Sequence, residues 1–154
     1  MPQDHVREVP PAVPQVRPEE QVGYLIVRVG HALGQRWAQD LAPFGLTARQ
    51  HGVLGVLAAH PGISAGALAR EAMITPQSMG ELLAGLQDRG LVLRHPPAGR
   101  GHPARLELTD AARALLAQVD PVVRANNSAG ALGLTDREIG HLRALLAKML
   151  PAVS

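Results

Sequence analysis

The side chains with the clearest chemical use in this sequence begin at Thr75. Gln77, Ser78 and Glu81 follow at spacings that place them on the outer side of a short helix, opposite an apolar stripe. Hydroxyl, amide and carboxylate groups hydrogen-bond base edges in a DNA major groove, where glutamine pairs with adenine and glutamate accepts from cytosine N4. A merely solvated helix face has the same residue types, so that alternative stays open.

A basic segment follows this polar one. Positions 89–106 hold four arginines, two histidines and no acid, a local charge that suits contact with phosphates. Arg100 lies between two glycines, which provide the backbone freedom to enter a minor groove, where narrow A·T-rich segments concentrate negative potential. Arg94 and Arg105 suit phosphate contacts, which position a protein without specifying a sequence. The alternative is a disordered basic loop.

The elements that position these groups can be predicted in turn. Thr75 is a favourable N-cap, and Pro76 is tolerated at the first helical position. The stripe that faces the core recurs at helical spacing, and Gly90 is typical of a helix end. The stripe consists of Met79, Leu82, Leu83 and Leu86. A shorter helix, from Ser64 to Glu71, precedes this one.

The basic segment has the pattern of a β-hairpin. Leu91 and Leu93 alternate with polar or smaller neighbours, as do Leu106 and Leu108 after a loop at 95–104. The loop contains three prolines and two glycines, so we expect it to project.

Four further segments are predicted to be helices. The first covers 19–41, and a capping box of Thr47 and Gln50 opens the second, which ends near His60. The third begins after Thr109 and contains Pro121, where we expect a kink or a break. A loop at 126–133 separates it from the fourth, which begins with a capping box at Thr135 and which Pro151 is expected to stop.

Composition restricts the class of protein. The 154 residues are 46% hydrophobic with one Trp, one Tyr and one Phe, which indicates a single, mainly helical domain with a real core. No apolar run is long enough to span a bilayer and no signal segment is evident, so we expect a cytoplasmic protein. Residues 1–18 contain five prolines and are predicted to be a flexible tail.

Metal, redox and enzyme functions have little support in the residues. There is no cysteine, and none of the seven histidines forms an i, i+4 pair. No Gly-rich phosphate loop, nucleophile elbow or pair of acids at catalytic spacing occurs. We therefore expect no cofactor, no metal site and no enzyme.

The order of these elements resembles the MarR family of bacterial transcription regulators. The resemblance covers about 22–150 and rests on GLTARQHGVLGVLA, on ISAGALAREAMITPQSMGELLAGLQDRGLVLR, and on the closing RLELT that runs into a helix. It implies a mainly α fold with a small β-wing. In that fold a winged helix-turn-helix at about 47–109 is flanked by dimerisation helices at about 19–42 and 109–151, within one domain, 19–154. The family's wing usually carries an Asp-x-Arg pair, whereas here Arg100 and His102 stand in its place.

The resemblance also implies a function. The expected protein is a homodimeric repressor that binds a pseudo-palindromic operator in double-stranded DNA and is released by a small effector, in relatives often an anionic aromatic. The predicted DNA-binding residues are Ser64, Thr75, Gln77, Ser78, Glu81, Arg94, Arg100, His102 and Arg105. The predicted effector-binding residues are Arg28, His31, Trp37 and His51. In the alternative, Trp37 belongs to the core and the other three side chains are simply solvated. A winged-helix interaction module that does not bind DNA is the second hypothesis, and a metal-binding regulator is the third.

Overall fold

The computed structural model describes residues 17–97 and 99–153. A 3-10 turn at Pro18–Glu20 precedes seven α-helices and two β-strands in the described residues. They are α1 Val22–Leu41, α2 Ala48–Ala59, α3 Ala65–Glu71, α4 Pro76–Asp88, β1 Val92–His95, β2 Arg105–Leu108, α5 Asp110–Asn126, α6 Ala129–Leu132 and α7 Asp136–Val153. The mainly α fold with a small β-wing is confirmed.

The chain divides into two compact units, 1–35 and 36–154. The described part of the first unit consists of the 3-10 turn and the beginning of α1. The tail predicted at 1–18 lies outside the described residues except for its last two positions, and the predicted domain limits stay predictions. In the described part of the chain, no helix is both long and apolar enough to cross a membrane.

Side-chain caps begin most of the helices, as the sequence predicts. Thr47 Oγ1 accepts from Gln50 N at 3.1 Å, and Gln50 Oε1 accepts from Thr47 N at 3.0 Å. The second predicted capping box, Thr135 with Glu138, is also formed, at 3.3 and 2.8 Å. Each bond satisfies one of the amides that a helix start leaves without a partner, so these caps fix where the chain turns.

The end of α4 is equally well determined. Gly90 has a φ of +67°, and its N–H donates to Gln87 O at 2.8 Å. The next amide, Leu91 N–H, donates to Leu86 O at 2.9 Å. These two bonds form a Schellman motif, in which the left-handed residue is usually glycine because it has no Cβ to clash. The chain therefore leaves α4 in a fixed direction, towards β1.

The wing contains more pairing than the hairpin alone. β1 and β2 are antiparallel, with Val92 opposite Leu108 and His95 opposite Arg105. The segment before α3 lies on the other edge of β2: Gly62 N–H donates to Leu106 O at 3.0 Å, and Leu106 N–H donates to Ile63 O at 3.0 Å. This third extended segment ties the wing to the start of α3.

A single hydroxyl joins the wing to both neighbouring helices. Thr109 Oγ1 donates to Gly90 O at 2.8 Å and accepts from Ala112 N–H at 3.0 Å. The hydroxyl thus serves the end of α4 and the start of α5 together, so the two ends of the hairpin meet at one point.

The alternation expected in the first strand is wrong at two positions, Val92 and Leu93. Leu91 and Val92 are both buried, whereas Leu93 is 48% exposed. Leu91 precedes β1 and lies in the turn after α4, where its burial does not follow the two-residue period of the strand. Within β1, the side that holds Val92 faces the core, because this residue pairs with the buried Leu108.

Two expectations about prolines and loops are also wrong, and part of a third. α5 is continuous through Pro121, so the break that was one of the two alternatives expected there does not occur. α7 continues past Pro151 to Val153, so the proline lies in its final turn and does not stop the helix. The loop expected at 126–133 contains α6, which Ser128 caps and Gly133 ends with a φ of +67°.

A polar group of three side chains lies between the end of α1 and α5–α6. Asn126 is 93% buried, with a residual exposure of 7%, and its amide donates to Asp40 Oδ2 at 2.8 Å. Arg36 lies 4.0 Å from the same carboxylate and donates to Ala131 O at 3.0 Å. A buried amide is stable only with such partners, so this contact selects one packing of the α5 end against α1.

Candidate nucleic-acid interface

One side of α4 is packed and the other is free. Met79, Leu83 and Leu86 are buried, whereas the outward positions form a separate set. The exposed residues of α4 are Pro76, Gln77, Gly80, Glu81, Ala84 and Asp88. Only Gln77 and Glu81 in the first two turns have long polar side chains, and the small residues between them leave room for close approach by a groove wall.

The predicted polar residues at the start of α4 differ in how much of their hydrogen-bonding capacity is already used. Thr75 Oγ1 accepts from Ser78 N–H at 3.2 Å and donates to Ser78 Oγ at 3.0 Å, so its hydroxyl is used within the cap. Gln77 Nε2 lies 3.5 Å from Glu81 Oε1, and both side chains are exposed. The free hydrogen-bonding capacity of this face therefore belongs mainly to Gln77 and Glu81.

Ser64 is placed at the start of α3, where it acts as N-cap. Its hydroxyl accepts from Ala67 N–H at 3.3 Å, and its backbone forms a bridge with Arg105 on the wing. The structure thus brings Ser64 next to a predicted phosphate-binding arginine. A Cβ on the neighbouring Gly62 would lie 3.8 Å from Arg105 Cδ, so the arginine stem runs along this turn.

The basic residues of the wing are all exposed. Arg94 lies in β1 and Arg105 begins β2, while Arg100 and His102 lie in the loop between the strands. Among the described residues, no carboxylate is within ion-pair distance of Arg94, Arg100 or Arg105. The one acid of the hairpin, Glu107, instead lies 3.3 Å from His95. The three guanidinium groups are therefore available to phosphates.

The two predicted surfaces carry opposite charge. α4 contains Glu81 and Asp88 and no Lys or Arg, whereas the wing provides the cations. An acidic helix repels DNA at a distance, so long-range attraction to a duplex has to come from the wing. The helix contributes contacts of short range, which depend on the identity of the group opposite.

The four residues predicted to bind an effector fall into two groups. In the first unit, the Arg28 guanidinium lies 5.8 Å from the centre of the Tyr24 ring, and His31 Nε2 is 3.0 Å from Gln35 Nε2. In the second unit, Trp37 and His51 meet edge to face, with ring centres 5.8 Å apart and planes at 73°. The structure therefore brings Trp37 and His51 together as a pair.

His51, in the second unit, has a buried ring nitrogen without a hydrogen-bond partner among the described residues. The nitrogen is Nδ1. Burial lowers the pKa of His51 from its ordinary value of 6.5, because a charged imidazolium would lose hydration there. The ring is therefore neutral at neutral pH and offers a hydrogen bond rather than a charge.

A shallow groove of about 180 Å³ lies elsewhere on the second unit, between α2 and the turn that follows α3. Its lining residues are Arg49, Gly52, Val53, Val56, Ala72 and Ile74. None of the four predicted effector residues lines it. Within residues 17–97 and 99–153, no cluster of three or more His, Asp or Glu could hold a metal ion.

Sequence reasoning missed two features of this region. The pairing of Gly62–Ser64 with β2 has only a weak signal, because three residues are too short for a periodic pattern. Asn126 has a clearer one: it lies seven residues after the buried Val119, a spacing that puts both on one helix face. A polar residue in an apolar stripe indicates a hydrogen-bonding partner.

The fold and the two exposed surfaces define a winged helix-turn-helix protein: α3 and α4 form the helix-turn-helix, and the basic hairpin forms the wing. Comparison with known proteins agrees. A family model described as MarR family matches residues 44–101. The HTH-type transcriptional repressor Rv2887 of Mycobacterium tuberculosis is 35% identical over 128 residues, which cover 83% of this chain and 92% of the repressor.

Solved structures give the same result. The crystal structure of M. tuberculosis Rv2887 in complex with DNA has a TM-score of 0.66 at 36% identity, covering 84% of this chain and 97% of that chain. Its complex with salicylic acid has a TM-score of 0.67 at 35% identity, with 84% and 96% covered. The chain belongs to the MarR family of transcriptional regulators.

The buried imidazole gives a testable pH dependence. The His51 pKa is lowered in the folded state, so the unfolded chain binds the proton more readily. Its contribution to stability is therefore complete above pH 6.5 and is lost as pH falls from 6.5 towards the folded-state pKa. We expect His51→Gln to flatten the fall in unfolding free energy over this window, measured by urea titration at fixed protein concentration.

The matched control is His60→Gln, which removes an exposed histidine at the end of the same helix. In this variant the unfolding free energy should fall with pH as it does in the wild type. Equal slopes for wild type and His51→Gln would contradict the assignment.

Proposed function

We propose that the protein is a sequence-specific DNA-binding repressor of transcription in the bacterial cytoplasm. It acts as a homodimer on a pseudo-palindromic operator, is released by a small aromatic acid, and works by binding rather than by catalysis. The observation that carries the proposal is a packed helix with a free polar face next to a wing whose arginines, among the described residues, have no carboxylate within ion-pair distance.

In this proposal α4 enters the major groove. A groove about 12 Å wide admits one helix, and residues near the helix start reach the base edges. Gln77 and Glu81 lie in the first two turns, and their exposure leaves them free to do so. Thr75 and Ser78 keep the helix start in shape and present what remains of their hydroxyl capacity to the DNA.

The wing holds the DNA backbone and the minor groove. Arg94 and Arg105 extend from the strands as phosphate contacts, and Arg100 in the loop enters the minor groove, with His102 beside it as the other basic candidate. Ser64 lies next to Arg105 and adds a hydroxyl at the start of α3. These contacts attract and orient the duplex, whereas the helix selects its sequence.

Exposed apolar side chains on α7 and α1 support the proposed dimer. None of the residues of α7 is buried, and Leu142, Leu145 and Leu146 on it are 42–59% exposed. Val22, Leu25, Ile26 and Val29 on α1 are exposed as well. Apolar helix faces of this extent are characteristic of subunit contacts. An isologous dimer would also place two copies of α4 about one DNA turn apart, roughly 34 Å.

The effector site is proposed at the pair of Trp37 and His51, both in the second unit. A role of Arg28 and His31 in binding the effector stays a prediction from the sequence. An aromatic edge and a buried imidazole nitrogen without a partner suit a ligand that has a ring and a hydrogen-bonding group. The salicylic acid complex of the M. tuberculosis relative gives a probe of this chemistry. A ligand shifts the DNA-binding equilibrium only by its difference in affinity for the two states.

Arg100→Ala tests the wing. We expect about a tenfold or greater loss of affinity for a duplex from the region upstream of the protein's own coding sequence, together with a salt slope smaller by about one charge. Fluorescence anisotropy over a range of salt concentrations measures both. Arg137→Ala, which removes an equal charge from the start of α7, should bind as the wild type does. Wild-type affinity for Arg100→Ala at physiological salt would refute the assignment.

Leu145→Lys tests the dimer. Burying a lysine in an apolar contact is costly, so the variant should sediment as a monomer at micromolar concentration whereas the wild type sediments as a dimer. Arg143→Glu, a charge change on the same helix outside its apolar stripe, should remain dimeric. A monomeric wild type would exclude this part of the proposal.

Salicylate tests the effector site. We expect it to weaken DNA binding by the wild-type protein and to have a smaller effect on His51→Ala, because the ligand loses its buried hydrogen-bonding partner. Arg49→Ala changes the groove, which lies along a different face of α2 from His51, and should keep the wild-type response. Loss of the response in Arg49→Ala alone would move the effector to that groove.

A further inference from the structure

Gln77 and Glu81 meet on the exposed face of α4, and their contact restricts how each can bind. Gln77 Nε2 lies 3.5 Å from Glu81 Oε1. Only the N–H end of the amide can face a carboxylate without repulsion between oxygens, so the chemistry of the pair sets this orientation. The amide oxygen of Gln77 and the second carboxylate oxygen of Glu81 then point away from each other and remain free.

The free groups of the pair are mainly acceptors. In the major groove, cytosine offers its N4 amino group and adenine its N6 amino group, whereas guanine offers O6 and N7, and thymine offers O4 and a methyl group. A carboxylate opposite guanine or thymine would face an acceptor without a proton between them. Glu81 therefore rejects two of the four bases as well as attracting the others, and both effects contribute to specificity.

The two attractive bases are not equivalent. Adenine places the acceptor N7 beside its amino group, which suits the Gln77 amide, because its NH2 group has a second N–H besides the one that faces Glu81 and its oxygen is free. Cytosine has no acceptor there, so it suits the carboxylate. This division assigns cytosine to Glu81 and adenine to Gln77.

The contact keeps the ends of the two side chains next to each other on the exposed face, with Gln77 Nε2 3.5 Å from Glu81 Oε1. Successive bases along a DNA strand are spaced by only about 3.4 Å, so two side chains held in contact can each reach one of two neighbouring base pairs. Gly80 lies between the two residues on the outer face, and a Cβ placed on it would meet nothing within 4 Å. The backbone can therefore come close enough for both side chains to reach the base edges.

We infer that Gln77 and Glu81 form a single reading unit for two neighbouring base pairs, with cytosine contacted by Glu81 and adenine by Gln77. The inference rests on the proposed function and makes it more specific. Since Glu81 is an acceptor, it contacts a C·G pair through its cytosine.

Selection from randomised DNA duplexes tests the unit. Wild type, Glu81→Ala and Gln77→Ala are each used to enrich binding sequences, and Asp88→Ala is the matched control, because it removes the same charge from the same exposed helix. We expect wild type and Asp88→Ala to enrich a cytosine next to an adenine. Glu81→Ala should lose the cytosine preference, and Gln77→Ala should lose the adenine preference.

A direct measurement follows on the enriched duplex. Replacing the selected C·G pair by T·A removes the amino group, and it should weaken wild-type binding roughly tenfold while changing Glu81→Ala binding little. An unchanged cytosine preference in Glu81→Ala would overturn the inference and leave the proposed function standing. Failure of the wild-type protein to enrich any sequence would refute the proposed function, and the inference with it.

Discussion

Met79, Leu83 and Leu86 pack one side of α4 into the core, and this burial fixes which side chains of the helix remain outside. Rotation of the helix by one residue would expose leucine and bury Glu81, at a large cost in free energy. The cap at Thr75 and the Schellman motif at Gly90 hold both ends of the helix, so it can neither slide nor unwind. The presentation of a polar face to DNA is thus a consequence of core packing.

The charges are divided between two neighbouring elements with different mechanical support. The acidic helix is held along its length by the core. The arginines belong to a hairpin whose strands are anchored by Thr109, by the pairing of β2 with Gly62–Ser64 and by buried strand residues, whereas Arg100 and His102 in its loop are exposed. A rigid element suits discrimination between bases, because the hydrogen-bond geometry has to be exact to within a few tenths of an ångström. A projecting basic element suits attraction, since Coulomb forces have little directional demand.

Much of the fold could be predicted from local signals. Caps at Thr47, Thr75, Thr109 and Thr135, and the glycine that ends α4, are interactions among residues close in sequence, so their pattern is visible without a structure. The wrong predictions also come from relying on local signals. Local preference alone predicts a kink or a break at Pro121 and a stop at Pro151, whereas α5 continues to Asn126 and α7 to Val153.

The sequence by itself determined the element order, the packed side of α4 and the basic wing, because periodicity and composition depend on residues near one another. Only the tertiary structure decided which groups remain free. It showed that the Thr75 hydroxyl is used within its own cap, that Gln77 contacts Glu81, that Val92 rather than Leu93 faces the core, and that Asn126 reaches Asp40 across 86 positions. Such pairings depend on distances through space, which cannot be read from the spacing of residues along the sequence.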